Sequence, residues 1–307
     1  MNNTRKTLLL VIGTAIISLV VIIAGYLIFQ HFQSKASKLP PQPPSGVIAK
    51  AISCTEIQIE WRDNSNNEIG FRIYRNGVIV GEVSKNEEKY SDKNLKYATE
   101  YRYYVLAYNS AGESKSLEIL GRTRNPPVSI RIDSIGVEDN GEESLRRILD
   151  SKGEVYIGIV VTDGKTVQRT DLPKSDKYYS LDDNQVIKLN QEIFRTSEVG
   201  DSIHIVIVGG EQDSGSGSDL LCDILDGAVK YSTGGTVSII LDIAGVSFSN
   251  FFGELLGTDD DFMGKYDQEW TEQQNWGVGN YVDIGCLTDR GTIGLRIWYS
   301  ITCPYTR

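Results

Sequence analysis

Hydrophobic positions along this chain follow two regimes. From Leu8 to Phe29 the sequence LLLVIGTAIISLVVIIAGYLIF carries no charged residue. As a helix it would run roughly 33 Å at 1.5 Å per residue, enough for a hydrocarbon core of roughly 30 Å. A secretory signal h-region is only about 7–15 residues long, so the spacing predicts an uncleaved signal anchor over residues 1–30, with a transmembrane helix at 8–29. Past it, Ser34–Ser45 (SKASKLPPQPPS) holds four prolines, which lock φ and remove amide donors; residues 31–44 read as a semi-stiff spacer.

Beyond the prolines, hydrophobic residues alternate with polar ones in short runs, the signature of half-buried strands. Ile57, Ile59 and Trp61 share one face, with Gln58 and Glu60 on the other. Phe71, Ile73 and Tyr74 lead to Asn76-Gly77, the strongest short hairpin signal. Tyr101, Tyr103, Val105 and Ala107 alternate in a later strand. Seven short strands around a buried tryptophan predict a β-sandwich over 45–125. Asn125-Pro126-Pro127 marks a boundary. Alternation resumes at Val128, Ile130 and Ile132, again at Val155, Ile157 and Ile159, and at Ile203, Ile205 and Ile207. The longest such run is Ile293, Leu295, Ile297, Tyr299 and Ile301. The expected fold class is therefore all-β, with two β-sandwich domains (45–125 and 128–307) behind a helical anchor.

One stretch breaks the strand rhythm. Leu220, Leu221, Ile224, Leu225, Ala228 and Val229 recur at helical spacing after the N-cap candidate Ser218, and Ile239 to Leu256 follow the same rule. We read a helical insertion over about 218–256. Asp242 and Glu254, with several Ser, Asn and Gly residues, make it a poor second membrane span.

Charge narrows the functions. Residues 1–29 hold Arg5 and Lys6 and no acid, so 41 acidic residues face 29 basic ones in the remainder. Such a surface repels phosphate backbones, and no basic stripe offsets it; nucleic acid is not an expected partner. His31 and His204 are the only histidines, which leaves no material for a histidine triad or a His-rich zinc site. Cys54, Cys222, Cys286 and Cys303 lack CxxC spacing, which argues against a zinc ribbon. In an oxidising compartment Cys286 and Cys303 could pair, with Cys222 as competitor; free buried thiols are the equal alternative.

The run WRDNSNNEIGFRIYRNG (61–77), followed by LKYATEYRYYVLAYNSAGES (95–114), resembles a fibronectin type III domain. The resemblance implies that Trp61 is the core tryptophan and Tyr101 the corner tyrosine bonded back to the backbone. It also implies a spacer or a protein- and sugar-contacting platform; the tripeptide Arg-Gly-Asp is absent. Arg5, Lys6 and the amino terminus favour a cytoplasmic start, and Lys35 and Lys38 on the other flank weaken the contrast; a module of this kind breaks the tie, so the expected location is the cell membrane, single-pass, N-terminus cytoplasmic and C-terminal domains extracellular.

In the second domain a strand ending at Val208 leads to Glu211 and Asp213, and Asp259-Asp260-Asp261-Phe262-Met263-Gly264 follows the insertion. This arrangement resembles the third loop of a C2 domain, where such carboxylates hold calcium. The first acidic loop, 133–143, supplies Asp139, with Glu142 and Glu143. The resemblance implies a C2-like sandwich with a Ca2+ site built from Asp139, Glu211, Asp213, Asp259, Asp260 and Asp261. Crowded carboxylates stay ionised when a cation offsets their repulsion, and calcium takes six to eight oxygens. Three departures stand against it: the helical insertion, Glu211 where Asp is usual, and no SDPY-type motif.

Trp270, Trp276-Gly277-Val278-Gly279 and Tyr281 read either as core and turn or as a sugar-stacking surface. The expected function is a membrane-anchored interaction or structural protein, an adhesin or surface-assembly subunit that is not an enzyme. Its partners would be the membrane, protein or glycan at the cell surface, and further copies of itself. The alternative is a surface glycan-acting hydrolase or carbohydrate-binding accessory protein, with Glu254 or Glu269 as its carboxylates.

Overall fold

The computed structural model describes residues 14, 16–29, 39–138, 152–174, 178–211, 261–288 and 291–305; of Asp261 and Phe262 it describes the backbone alone. The chain divides into two compact units, Met1–Arg124 and Asn125–Arg307. Both are built of β-strands.

The expected membrane span is not supported. Among the described residues no helix is long and apolar enough to cross a membrane. The described helix covers residues 16–29, roughly 21 Å at 1.5 Å per residue against a hydrocarbon core of roughly 30 Å. Residues 8–13 lie outside the described set. The single-pass location, cytoplasmic start and extracellular remainder rested on that span and fall with it.

In the first unit, β1 (Ser45–Ala51), β2 (Ile57–Arg62) and β5 (Lys89–Asp92) form one sheet. The second runs in the order β4 (Val78–Ser84), β3 (Gly70–Arg75), β6 (Glu100–Asn109), β7 (Gly112–Lys115), with β8 (Ile119–Arg122) also on β6. Their inner faces bury Ile57, Ile59, Trp61, Phe71, Ile73, Leu95, Tyr103, Val105 and Ala107 in one core. The alternation forces this: β-strand side chains point to opposite faces with period two. Asn76 and Gly77 both hold positive φ, 51° and 83°, the backbone a tight hairpin needs to match strand twist. Tyr101 acts as the resemblance implied, its hydroxyl accepting the Lys96 N–H at 2.9 Å. The prolines differ from expectation: Pro41 and Pro44 are buried. Leu39 O accepts Nδ2 of Asn67 (3.0 Å) and of Asn109 (2.8 Å), and Pro43 O accepts Nδ2 of Asn64 (2.9 Å). Asparagine side chains thus hold residues 39–43 against the domain.

The second unit holds β9 (Val128–Val137), β10 (Lys152–Thr162), β11 (Val167–Leu172), β12 (Tyr179–Asp182), β13 (Val186–Thr196), β14 (Ser202–Glu211), β15 (Asp261–Thr271), β16 (Gly279–Leu287) and β17 (Ile293–Thr302). They form one ladder, ordered β11-β10-β14-β15-β16-β17-β9-β13, with β12 on β10. Between β15 and β16 it narrows to the single pair Lys265–Leu287. That narrowing divides the ladder into β11, β10, β12, β14 and β15 on one side and β16, β17, β9 and β13 on the other. Gly264 sits at the narrowing with φ 121°, where a Cβ would stand 2.4 Å from Cys286 O. Only glycine tolerates both conditions. At the opposite side, Thr170 Oγ1 of β11 donates to Ile193 O of β13 at 3.4 Å, linking the two edge strands. The helical insertion expected at 218–256 lies outside the described residues.

Candidate functional site

An aromatic column in the second unit is built by β15, β16 and β17. Tyr281 stacks on Tyr299 (4.5 Å between centroids, 9° between planes), Trp270 meets both, and Tyr266 and Tyr299 join hydroxyls at 2.8 Å. Burial raises the Tyr299 phenol far above its ordinary value, and the bond to Tyr266 adds to it. Trp276 is wholly buried and donates Nε1–H to Gly200 O at 2.9 Å. Tyr299, Trp270 and Trp276 are core, so the two tryptophans present no stacking surface to a sugar, while Tyr266 and Tyr281 are partly buried. Glu269 is exposed on β15; Glu254 lies outside the described residues.

Of the six predicted calcium ligands, the side chain of Glu211 is described. It is buried at the end of β14, where Oε1 accepts the Glu154 N–H at 3.1 Å. Its partner across the ladder is Asp261, the first residue of β15. Two predicted ligands therefore stand on one rung, at one end of the domain. Asp139, Asp213, Asp259 and Asp260, with Glu142 and Glu143, lie outside the described residues. Among the described residues, no three His, Cys, Asp or Glu side chains are grouped to hold a metal ion.

A polar cluster that periodicity did not reveal sits on the other face of β14 and β15. His204 is buried, and its Nε2–H donates to Asp267 Oδ1 at 2.5 Å; Lys265 Nζ lies 2.6 Å from Asp267 Oδ2. A carboxylate only accepts, so Nε2 carries the ring proton. Burial pushes the Asp267 carboxyl up, but the bonds from His204 and Lys265 outweigh it and hold the group below its usual range. The signal was the pair Lys265 and Asp267, two apart on one strand face, yet nothing in sequence placed His204 beside them.

Cys286 and Cys303 are free thiols. Cys286 pairs with Leu295 near one end of β17, and Cys303 follows its other end. Eight residues at about 3.3 Å each separate Leu295 from Cys303, far beyond the roughly 7 Å Cα spacing a disulfide allows. Burial pushes the Cys286 thiol up to about 12. Cys222 lies outside the described residues.

On the first unit, a cleft of about 460 Å³ is lined in part by Asn76, Tyr101, Arg102, Tyr104, Lys115 and Leu120. Its aromatic faces are taken: Tyr104 stacks on Tyr74 of β3 at 4.5 Å, and Lys115 Nζ of β7 lies 3.8 Å from the Tyr104 centroid. Its two cations are engaged as well, Lys115 with Glu118 at 2.7 Å and Arg102 with Glu118 at 3.8 Å.

A family model described as fibronectin type III domain matches residues 42–120. An alpha-amylase of Niallia circulans is 27% identical over 88 residues, covering 28% of this chain and 7% of that protein. Chitinase Chi52 of Paenibacillus xylanexedens is 31% identical over 75 residues, covering 24% and 14%. In both, the shared region is the fibronectin type III one. The chain thus spans a small fraction of the length of these curated relatives. The solved fn3 domain of human collagen alpha-1(XX) is 21% identical, covering 27% of this chain and 85% of that one, with a TM-score of 0.25. Two sheets around Trp61, the Asn76-Gly77 hairpin, the Tyr101 corner and the family match agree: residues 42–120 are a fibronectin type III domain.

Proposed function

We propose that the chain is a non-catalytic interaction protein, in which a fibronectin type III module is joined to a C2-like β domain that engages a protein or glycan partner, or a second copy, through a calcium-dependent acidic end. The observation that carries this reading is the shared rung of Glu211 and Asp261. It brings carboxylate-bearing positions from either side of residues 212–260 to one point, with Asp213, Asp259 and Asp260 adjacent in sequence. Calcium accepts such oxygen sets, and a cation that binds only the folded form stabilises it. Sedimentation and calorimetric binding of the full chain, with and without 5 mM calcium, test the proposal. Calcium should promote self-association or partner binding, and Glu211→Gln should abolish that gain while keeping the acceptor for Glu154 N–H. Identical behaviour of the wild type with and without calcium would remove the metal.

A second reading, an accessory protein of carbohydrate breakdown, draws on the likeness to an amylase and a chitinase. The matched module is non-catalytic. Calcium-independent binding of amylose or chitin by the purified chain would favour this reading over the first, and no binding to either would remove it.

A further inference from the structure

The loop between β2 and β3 carries a charge with no counterpart. Glu68 is 4% exposed, and neither carboxylate oxygen has a hydrogen-bond partner among the described residues. Nor does a lysine or arginine there reach it within ion-pair distance. Taking an ionised carboxylate out of water without a donor or a counter-charge is among the costliest things a fold can do.

The surroundings make the deficit larger. Asp63, in the same loop, has its carboxyl pushed up by burial and then by the negative charges of Glu68 and Glu88; Lys85 and the Ser65 N–H act in the other direction. Glu88 is tied in directly, its Oε1 accepting the Asp63 N–H at 2.9 Å. The asparagines are turned so that their amide nitrogens serve the proline segment. Asn64 Nδ2 donates to Pro43 O and Asn67 Nδ2 to Leu39 O. Their Oδ1 atoms accept from hydroxyl groups, Ser45 Oγ at 3.3 Å and Ser65 Oγ at 2.7 Å. The loop therefore collects amide oxygens and two carboxylates, Asp63 and Glu68, while Glu88 reaches it from the segment before β5.

We propose that this loop is a calcium site of the fibronectin type III domain, with Glu68 as its buried anchoring ligand and Asp63 as its second carboxylate. Among the described residues no three acidic side chains are already grouped on a metal position. The ion therefore completes its six to eight ligands with amide and carbonyl oxygens and water. So few carboxylates place the affinity at about 10⁻⁴–10⁻³ M, the range of extracellular calcium modules. The site is independent of the acidic end of the second unit.

Calcium is titrated into the full chain by calorimetry, for the wild type, Glu68→Gln, Asp63→Asn and Glu211→Gln. The proposal expects one ion bound by the wild type and by Glu211→Gln that Glu68→Gln does not take up, with at least a tenfold weaker isotherm for Asp63→Asn. Without calcium, Glu68→Gln should melt no lower than the wild type, because the substitution removes an unpaired buried charge. If Glu68→Gln does not fold, Asp63→Asn decides alone. Full calcium uptake by both loop variants overturns the site, as does a wild type whose every calcium ion is lost in Glu211→Gln. Failure of Glu211→Gln to change anything bears on the second unit alone.

Discussion

The two units solve the same problem, burying the inner faces of their β-strands, by different chemistry. The fibronectin type III domain locks its inner faces with a charge. Arg75 Nη1 donates to both oxygens of buried Asp92 at 2.9 Å, and Tyr103 donates its hydroxyl to Asp92 Oδ2 at 2.9 Å. Asp92 belongs to one sheet, Arg75 and Tyr103 to the other. The second unit does this with rings, stacking Tyr281 on Tyr299 and tilting Trp270 across them. A buried ionic clip is intolerant of losing one member, whereas an aromatic column spreads its contribution over area.

That contrast can be tested from its largest expected effect downward. Trp276→Ala should destabilise the second unit by about 3–5 kcal/mol, since a fully buried ring and its hydrogen bond both vanish. Urea denaturation with hydrogen-exchange readout would locate the loss. A cost below about 1 kcal/mol would deny Trp276 its structural role. Asp92→Ala should cost about 2–4 kcal/mol in the first unit, with part of the Arg75 contribution lost to solvent because that side chain is 30% exposed. Tyr103→Phe should cost less than Asp92→Ala, because it leaves the Arg75 pair intact. The reverse order would break the clip interpretation. Tyr101→Phe removes the corner bond for about 0.5–1.5 kcal/mol, read by the same denaturation.

The smallest effect concerns pH. Because His204 and Lys265 hold the Asp267 carboxyl below its usual range, its contribution is present above the unfolded value of about 4. It should fade as pH falls through the lower folded value. Asp267→Asn should flatten that acid limb, measured as melting temperature against pH; an unchanged limb would assign acid sensitivity elsewhere.

What could be read from sequence divides along the same line. In the first unit, the residues that specify the fold act within a few positions of one another. Asn76 and Gly77 make their turn, Tyr101 bonds five residues back, and Ile57, Ile59 and Trp61 define a face. Periodicity reaches that far. In the second unit it named strands without saying which pair. β9 lies between β13 and β17, so Ile130 meets Phe194 on one side and Ile301 on the other. Nothing in a run of alternating residues encodes a partner that distant.

Sites were less legible than strands, because burial is a tertiary outcome. Glu211 was nameable from its place beside Asp213, and the ladder sets it against Asp261. Glu68 was not, since a run of Asp, Asn and Ser before it reads as solvated loop. Trp270 and Trp276 carried two meanings in sequence, and burial left them one.

The rung shared by Glu211 and Asp261 bears on how this domain tolerates change. Paired residues on neighbouring antiparallel strands keep their Cα atoms about 5 Å apart. The two strand ends that a connection must join therefore stand on a single rung, and lengthening a closed loop between such ends adds only a slowly growing entropic cost. The position is a natural splice point, where a whole segment can be exchanged or trimmed to a short turn while β14 and β15 keep their register.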